Sequence, residues 1–151
     1  EYENGIIFES LNDLIDYISE NEPEKFTFIC RFTSDLEIDY LFKLCWELEN
    51  LLLVVEEAEI YIKPKSQSSN FLHLVRYGRH KNISILGIAR RTAELSTNLR
   101  SQVNNIYSFK QTDKMDLKNM ELLGFYDLEN LQDYKFPERQ IENRHYKKVE
   151  Y

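Results

Sequence analysis

Leu51-Leu52-Leu53-Val54-Val55-Glu56-Glu57-Ala58-Glu59 is the stretch whose reading decides the fold. Its first five residues are continuously apolar, too short for a helix, and read as a central strand buried on both faces, as strands of parallel sheets are. The run then stops abruptly in two adjacent acids. In open α/β sheets, ligands bind outside the carboxyl ends of the strands. Glu56 and Glu57 are therefore the first candidate site, one carboxylate to hold Mg²⁺ and the other to orient a water. Surface acids that merely begin an exit loop would read the same way, so the surrounding chain has to decide.

Working outward, short apolar strands alternate with amphipathic helices. Upstream, Gly5–Phe8 reads as a strand, and Ser10 with Asp13 opens a helix with the stripe Leu11, Leu14, Ile15, Ile18 that Pro23 breaks. Phe26–Phe32 is aromatic and β-branched, hence a strand. Ser34 with Glu37 repeats the capping signature ahead of Ile38, Leu41, Phe42, Cys45 and Leu48. Downstream, Lys63–Ser69 is a polar loop, followed by a helix with Phe71, Leu72, Leu74 and Val75 inward that ends near Gly78. Ile83–Ala89 reads as a second buried strand. A short helix around 96–102, a strand Ile106–Phe109, a helix from Asp113 that Gly124 closes, and a helical piece Asp127–Tyr134 complete the pattern. The alternation predicts an α/β fold, a three-layer, mostly parallel sheet with helices on both faces. Residues 1–136 form this domain, and 137–151 are a tail, either an added strand or disordered.

Composition excludes several classes. The chain of 151 residues is long enough for one domain without a disulfide or metal staple. No apolar run approaches the ~20 residues that cross a bilayer, and Glu1-Tyr2-Glu3-Asn4 is no signal peptide. A soluble, cytoplasmic chain is expected. Opening on Glu1 instead of Met, it reads as a fragment. Cys30 and Cys45 are too few for a disulfide framework, and three scattered histidines offer no zinc spacing. The net charge of −7 hides a division: residues 1–60 carry 16 acids against 3 bases, and the remainder 10 acids against 16 bases. The window Lys63–Lys110 holds nine bases and one acid, Glu94. Such a face suits phosphates, of a nucleotide or of a nucleic acid, and equally a solvated surface balancing the acidic half.

Two further groups lie at element ends. Arg76-Tyr77-Gly78-Arg79-His80 closes the helix after the Lys63–Ser69 loop, where cations also favour the helix dipole. Arg90-Arg91 ends the strand Ile83–Ala89, close enough in a parallel sheet to meet either a phosphate or the carboxylates of Glu56 and Glu57.

Order and spacing of these groups resemble the HerA/FtsK-type P-loop ATPases, a group that includes translocating motors and many phage DNA-packaging and conjugation ATPases. The resemblance covers about residues 50–112. It implies that Glu56-Glu57 stand at the Walker B position, usually Asp-Glu, with Glu56 on Mg²⁺ and Glu57 activating water. It implies that Arg79 in the Gly-Arg segment is an arginine finger acting on a neighbour's nucleotide. Ile85–Arg91 is similar to the family's sensor strand, which usually ends Gln-Arg, so Arg90 would sense the γ-phosphate and Arg90 and Arg91 would contact nucleotide. Leu99-Arg100-Ser101-Gln102 matches the segment after the sensor. ATP and Mg²⁺, a homo-oligomeric ring and a nucleic-acid partner are the implied cofactors and partners of an intact parent.

Three departures stand against that pattern. Glu56 replaces Asp, moving the carboxylate out by ~1.5 Å. Arg90 replaces the sensor Gln. G-x-x-x-x-G-K-[ST] is absent, since the only glycines are Gly5, Gly78, Gly87 and Gly124. The chain is therefore expected to be the downstream part of an ATPase core, inactive by itself, with no tight ATP or Mg²⁺ binding. Two other readings compete: a non-catalytic α/β domain binding nucleic acid or protein through the basic window, and a Mg²⁺ nuclease using Glu57, Glu59 and Lys63.

Overall fold

Ser10 has extended backbone and its hydroxyl accepts from the Asp13 amide, so the first helix, α1 (Leu11–Asn21), starts where the capping pattern places it. Helix α1 follows strand β1 (Ile6–Phe8), which pairs in parallel with β2 (Phe28–Cys30), Ile6 opposite Phe28 and Phe8 opposite Cys30. The computed structural model describes residues 5–61, 68–91, 97–131 and 146–150. They form an α/β fold whose strands occur in three two-stranded pairs. The chain divides into two units, Glu1–Leu53 with Ser68–Leu86, and Val54–Gln67 with Gly87–Tyr151.

In the first unit, Phe8, Leu11, Leu14 and Phe32 form a buried cluster edged by Tyr17, Phe28 and Ile38. Helix α2 (Asp35–Leu48) buries Phe42 and Cys45 and packs against α4 (Ser69–Tyr77), where the Phe42 and Phe71 rings meet edge to face at 4.8 Å. Asp39 of α2 pins the start of α4 by accepting from the Ser68 hydroxyl and, at 2.7 Å, from Asn70. Ser68 itself caps α4 through the Phe71 amide. The second expected capping box does not form. Ser34 makes no side-chain cap, and Glu37 instead accepts from the Leu11 amide at 3.0 Å. That amide is one of the unpaired N–H groups at the start of α1, and a carboxylate from α2 satisfies it.

The expectation of strands buried on both faces is corrected. β3 (Leu52–Val55) alternates, with Val55 buried but Leu52 62% and Val54 39% exposed. β4 (Ser84–Gly87) behaves alike, with Leu86 48% and neighbouring Ile88 46% exposed. Successive side chains of a strand point to opposite faces, and only one face of these strands is covered. β3 and β4 run in the same direction, the Ser84 amide donating to Leu51 and the Ile88 amide to Val55, both at 2.9 Å. The expected strand Phe26–Phe32 shortens to the three residues of β2.

In the second unit, the short helices α3 (Ala58–Tyr61) and α5 (Thr97–Arg100) are followed by β5 (Asn105–Phe109) and α6 (Lys114–Glu121). Asp113 caps α6, accepting from the Met115 and Asp116 amides. Gly124 turns the chain at φ +83°, a conformation that favours glycine. Phe125, Met120 and Leu128 then close a core with Ile106 and Val149. The tail supplies β6 (Tyr146–Glu150), antiparallel to β5, which places Ile106 opposite Val149. The expected helical piece from Asp127 is a 3-10 turn, Leu128–Asn130; its remainder lies outside the described residues, as do Lys63 and Glu94.

Both cysteines sit in the first unit as free thiols. Burial pushes the Cys45 thiol up to about 12, helped by repulsion from Cys30, and burial pushes Cys30 up to about 11. Only the thiolate is nucleophilic, and against an ordinary value near 8.5 the thiolate fraction at pH 8 falls by about 10²–10³-fold. Iodoacetamide at pH 8 is thus expected to label both cysteines at least about a hundredfold more slowly in the native chain than in urea. Native labelling at the unfolded rate would refute the buried setting. The sign for stability follows. The native state holds these protons more tightly than the unfolded chain, so this stabilisation is complete below about pH 8.5 and fades as pH rises towards 11–12.

Candidate functional site

Val55 ends β3, and Glu56 and Glu57 form the turn that leads into α3. Glu57 has φ +48°, the left-handed region that a glutamate adopts at a cost of about 1–2 kcal/mol. The turn is held by the end of β4: the Ile88 amide donates to Val55, and the Ala58 amide donates back to Ile88, each at 2.9 Å. Ala58 is fully buried, and a Cβ on Gly87 would stand in ordinary contact with its methyl group at 3.6 Å. One helical step on, Glu59 is carried inward, its side chain 4% exposed.

Arg90 lies directly on these acids. Its backbone amide and its Nε both donate to Glu59 Oε1, each at 3.3 Å, while Nη2 reaches Glu57 Oε1 at 3.3 Å. One guanidinium thus bridges a buried carboxylate and an exposed one. Glu59 Oε2 is buried without a hydrogen-bond partner. Arg91 turns elsewhere. Its Nε donates to the buried Asp116 at 3.2 Å, and its Nη2 lies 3.7 Å from Asp113. Asp113 is the N-cap of α6 and Asp116 lies in its first turn, so Arg91 ties the segment after β4 to a helix N-terminus. Glu56 is exposed beside this group.

Of the residues the sequence singles out, Glu57, Arg90 and their neighbour Glu56 come together in the second unit. Arg79 belongs to the first unit, in the 3-10 turn Gly78–Lys81, where it is exposed. Gly78 is needed there for close approach: its φ is −55°, but a Cβ would come within 3.3 Å of Ile83 Cβ. Sequence reasoning missed Glu59 as the arginine's anchor, although its place three residues after Glu56 on a helical turn was the available signal. It also missed Asp113 and Asp116 as partners of Arg91, reading Asp113 as a cap only. In the basic window, Lys81 pairs with Glu49 at 2.6 Å, and Arg90 and Arg91 are paired as above, so at least a third of its nine bases are met within the chain.

Magnesium requires oxygen donors, and the donors on this edge are carboxylates. Among the described residues, no group of three His, Cys, Asp or Glu side chains forms a metal cage. Mg²⁺ in phosphate sites is held by one or two carboxylates with phosphate oxygens and water, so the donor chemistry fits an ion that arrives with a nucleotide. No helix among the described residues is long and apolar enough to cross a membrane.

No family model and no curated protein matches the chain. Solved structures do, among them those of one viral protein. The genome packaging NTPase B204 from Sulfolobus turreted icosahedral virus 2, in complex with ATP-gammaS, superposes with a TM-score of 0.63 at 15% identity, over 78% of this chain and 57% of that one. Its AMP complex gives 0.62 at 15% identity over the same shares. Its sulfate complex gives 0.60 at 18% identity, over 78% of this chain and 56% of the other. Over the superposed residues the chain shares the fold of that viral NTPase. It spans a little over half the length of these structures.

Proposed function

We propose that the chain is the downstream part of a HerA/FtsK-type ATPase core whose intact parent hydrolyses ATP to move a nucleic acid as a cytoplasmic homo-oligomeric ring. The observation that carries this reading is Arg90 at the end of β4 seated on Glu57 at the end of β3. An arginine sensor and a water-activating carboxylate have to lie close together at the sheet edge, and the contact of Arg90 with Glu57 supports giving them those parts. Glu57 takes the proton of the attacking water, Arg90 meets the γ-phosphate, Arg91 adds positive charge behind it, and Arg79 reaches a neighbour's nucleotide. Glu56 would hold Mg²⁺, which would supply neutralisation of the nucleotide's phosphate charge. The bare apolar side chains Leu52, Val54, Leu86 and Ile88 support an incomplete core, since the three-layer sheet of such an ATPase covers both faces.

The non-catalytic binding domain is less well supported, because the pairing of Lys81, Arg90 and Arg91 leaves fewer free cations on the basic window. The nuclease reading loses its second acid, as Glu59 is buried against Arg90.

The 151-residue chain carries no Gly-rich phosphate loop, so no backbone nest or lysine encloses the β- and γ-phosphates. Titration calorimetry is expected to show only weak ATP binding, with no measurable hydrolysis. Micromolar affinity for ATP in this chain would overturn the reading.

A further inference from the structure

We propose that Glu59 is a positioning residue for Arg90, a fixed pivot on which the arginine's outer end passes from Glu57 to an arriving phosphoryl oxygen. The inference rests on the reading of Arg90 as the phosphate-sensing arginine and adds a device that links sensing to the release of the base.

The argument starts from the two ends of one guanidinium. Its inner edge is gripped twice by a single oxygen, since Glu59 Oε1 accepts from both the backbone amide and the Nε of Arg90. A residue held through main chain and side chain by one acceptor keeps its place while its far end swings. The carboxylate that holds it is only 4% exposed, although the arginine side chain itself is 71% exposed in both contacts, so the difference between the limbs lies in their acceptors. The outer limb is different. Nη2 meets Glu57, whose side chain is 51% exposed, so solvent and ions compete for that acceptor as they cannot for Glu59.

A phosphoryl group presents more negative charge and more acceptor oxygens than one carboxylate, and guanidinium matches it with paired donors. It therefore displaces Glu57 from Nη2 but does not reach the Glu59 limb. Without phosphate, Arg90 occupies the carboxylate that would activate water. With phosphate on Arg90, Glu57 is released at the moment a substrate is in place. Glu59 makes this exchange possible by keeping the guanidinium at the sheet edge throughout.

The test uses the 151-residue chain, labelled with ¹³C and ¹⁵N, and needs no turnover. The Arg90 Nε–H resonance is assigned by its disappearance in Arg90→Lys. It is expected to persist in Glu57→Gln and to be lost to solvent exchange in Glu59→Gln. In about 1 M NaCl, where the screening length is ~3 Å, the Glu57 carboxyl carbon should shift while the Nε–H and the Glu59 carboxyl carbon stay. Inorganic phosphate at low ionic strength should likewise move the Glu57 carboxyl carbon and leave that of Glu59. Loss of both limbs together in salt, a phosphate response at Glu59 or at neither carboxylate, or an unchanged Nε–H in Glu59→Gln would each overturn the pivot. If Glu59→Gln does not fold, the salt and phosphate titrations of the unaltered chain decide. An intact parent that hydrolyses no ATP would overturn the ATPase reading while leaving these resonances as described.

Discussion

Arg79→Ala in the intact parent is expected to lower turnover by about 10³–10⁵-fold, the contribution of an arginine that stabilises charge developing on a transferred phosphoryl group, and to spare nucleotide binding. The local structure supports a side chain free for such a role. Helix α4 ends at Tyr77, and the following 3-10 turn is fixed at both ends. At one end Gly78 is buried against Ile83, whose amide donates to the Gly78 carbonyl at 2.9 Å. At the other, Lys81 is held by Glu49 at 2.6 Å and lies 4.7 Å from the Trp46 ring. Arg79 stands between these anchors, exposed, and among the described residues no carboxylate pairs with it. A cation that only complements a helix end contributes about 0.3–1 kcal/mol to stability and nothing to chemistry, so that role predicts near-normal rates. Mixing separates the remaining cases. An Arg79→Ala subunit combined with a Glu57→Gln subunit should regain activity, because each supplies what its neighbour lacks. Wild-type rates for Arg79→Ala would sink the finger, and loss without rescue on mixing would place the arginine in its own subunit's site.

Which parts of this arrangement the sequence discloses follows from the kind of signal each part leaves. Helix starts are written locally: Ser10 and Asp113 are where the capping chemistry puts them, because a cap is made within three residues. Glu37 fails that rule because a distant partner, the Leu11 amide, outcompetes the local one. The strand positions are legible from their apolar runs, but their burial is not. Leu51–Val55 has no polar residue to mark which side of the pleat is bare, so a half-covered strand and a fully covered one have the same sequence.

The site shows the same division. Glu57 and Arg90 could be placed together because both lie just beyond the ends of neighbouring parallel strands, and topology alone brings such ends to one edge. Glu59 is less legible: its spacing from Glu56 is a signal, but its inward placement depends on a helical step after an unusual backbone turn at Glu57. That turn is invisible in the sequence, since nothing about a glutamate announces a positive φ. Likewise, Arg91 adjoins Arg90 in sequence but faces α6, a helix whose first turn begins some twenty residues later and whose acids are equally at home on a surface.

Glu57 is where strain and chemistry meet, and two substitutions there are expected to act in opposite directions. Glu57→Gln preserves size and the left-handed turn but removes the base, so turnover in the intact parent should fall by about 10²–10⁴-fold with nucleotide binding retained. Glu57→Gly removes the base as well and should abolish turnover to the same degree. Its effect on stability differs. Glycine adopts φ +48° without the cost of about 1–2 kcal/mol borne by a side chain there, while the exposed ion pair to Arg90 that it forfeits is worth only about 0.2–1 kcal/mol. Thermal melting of the 151-residue chain should therefore show Glu57→Gly above the unaltered protein and Glu57→Gln at or slightly below it. On the proposed function, the strained glutamate is kept at this turn for its carboxylate. A lower melting temperature for Glu57→Gly would remove the strain argument. Full turnover in Glu57→Gln, with Glu56→Gln inactive, would reverse the parts assigned to the two acids and make Glu56 the base.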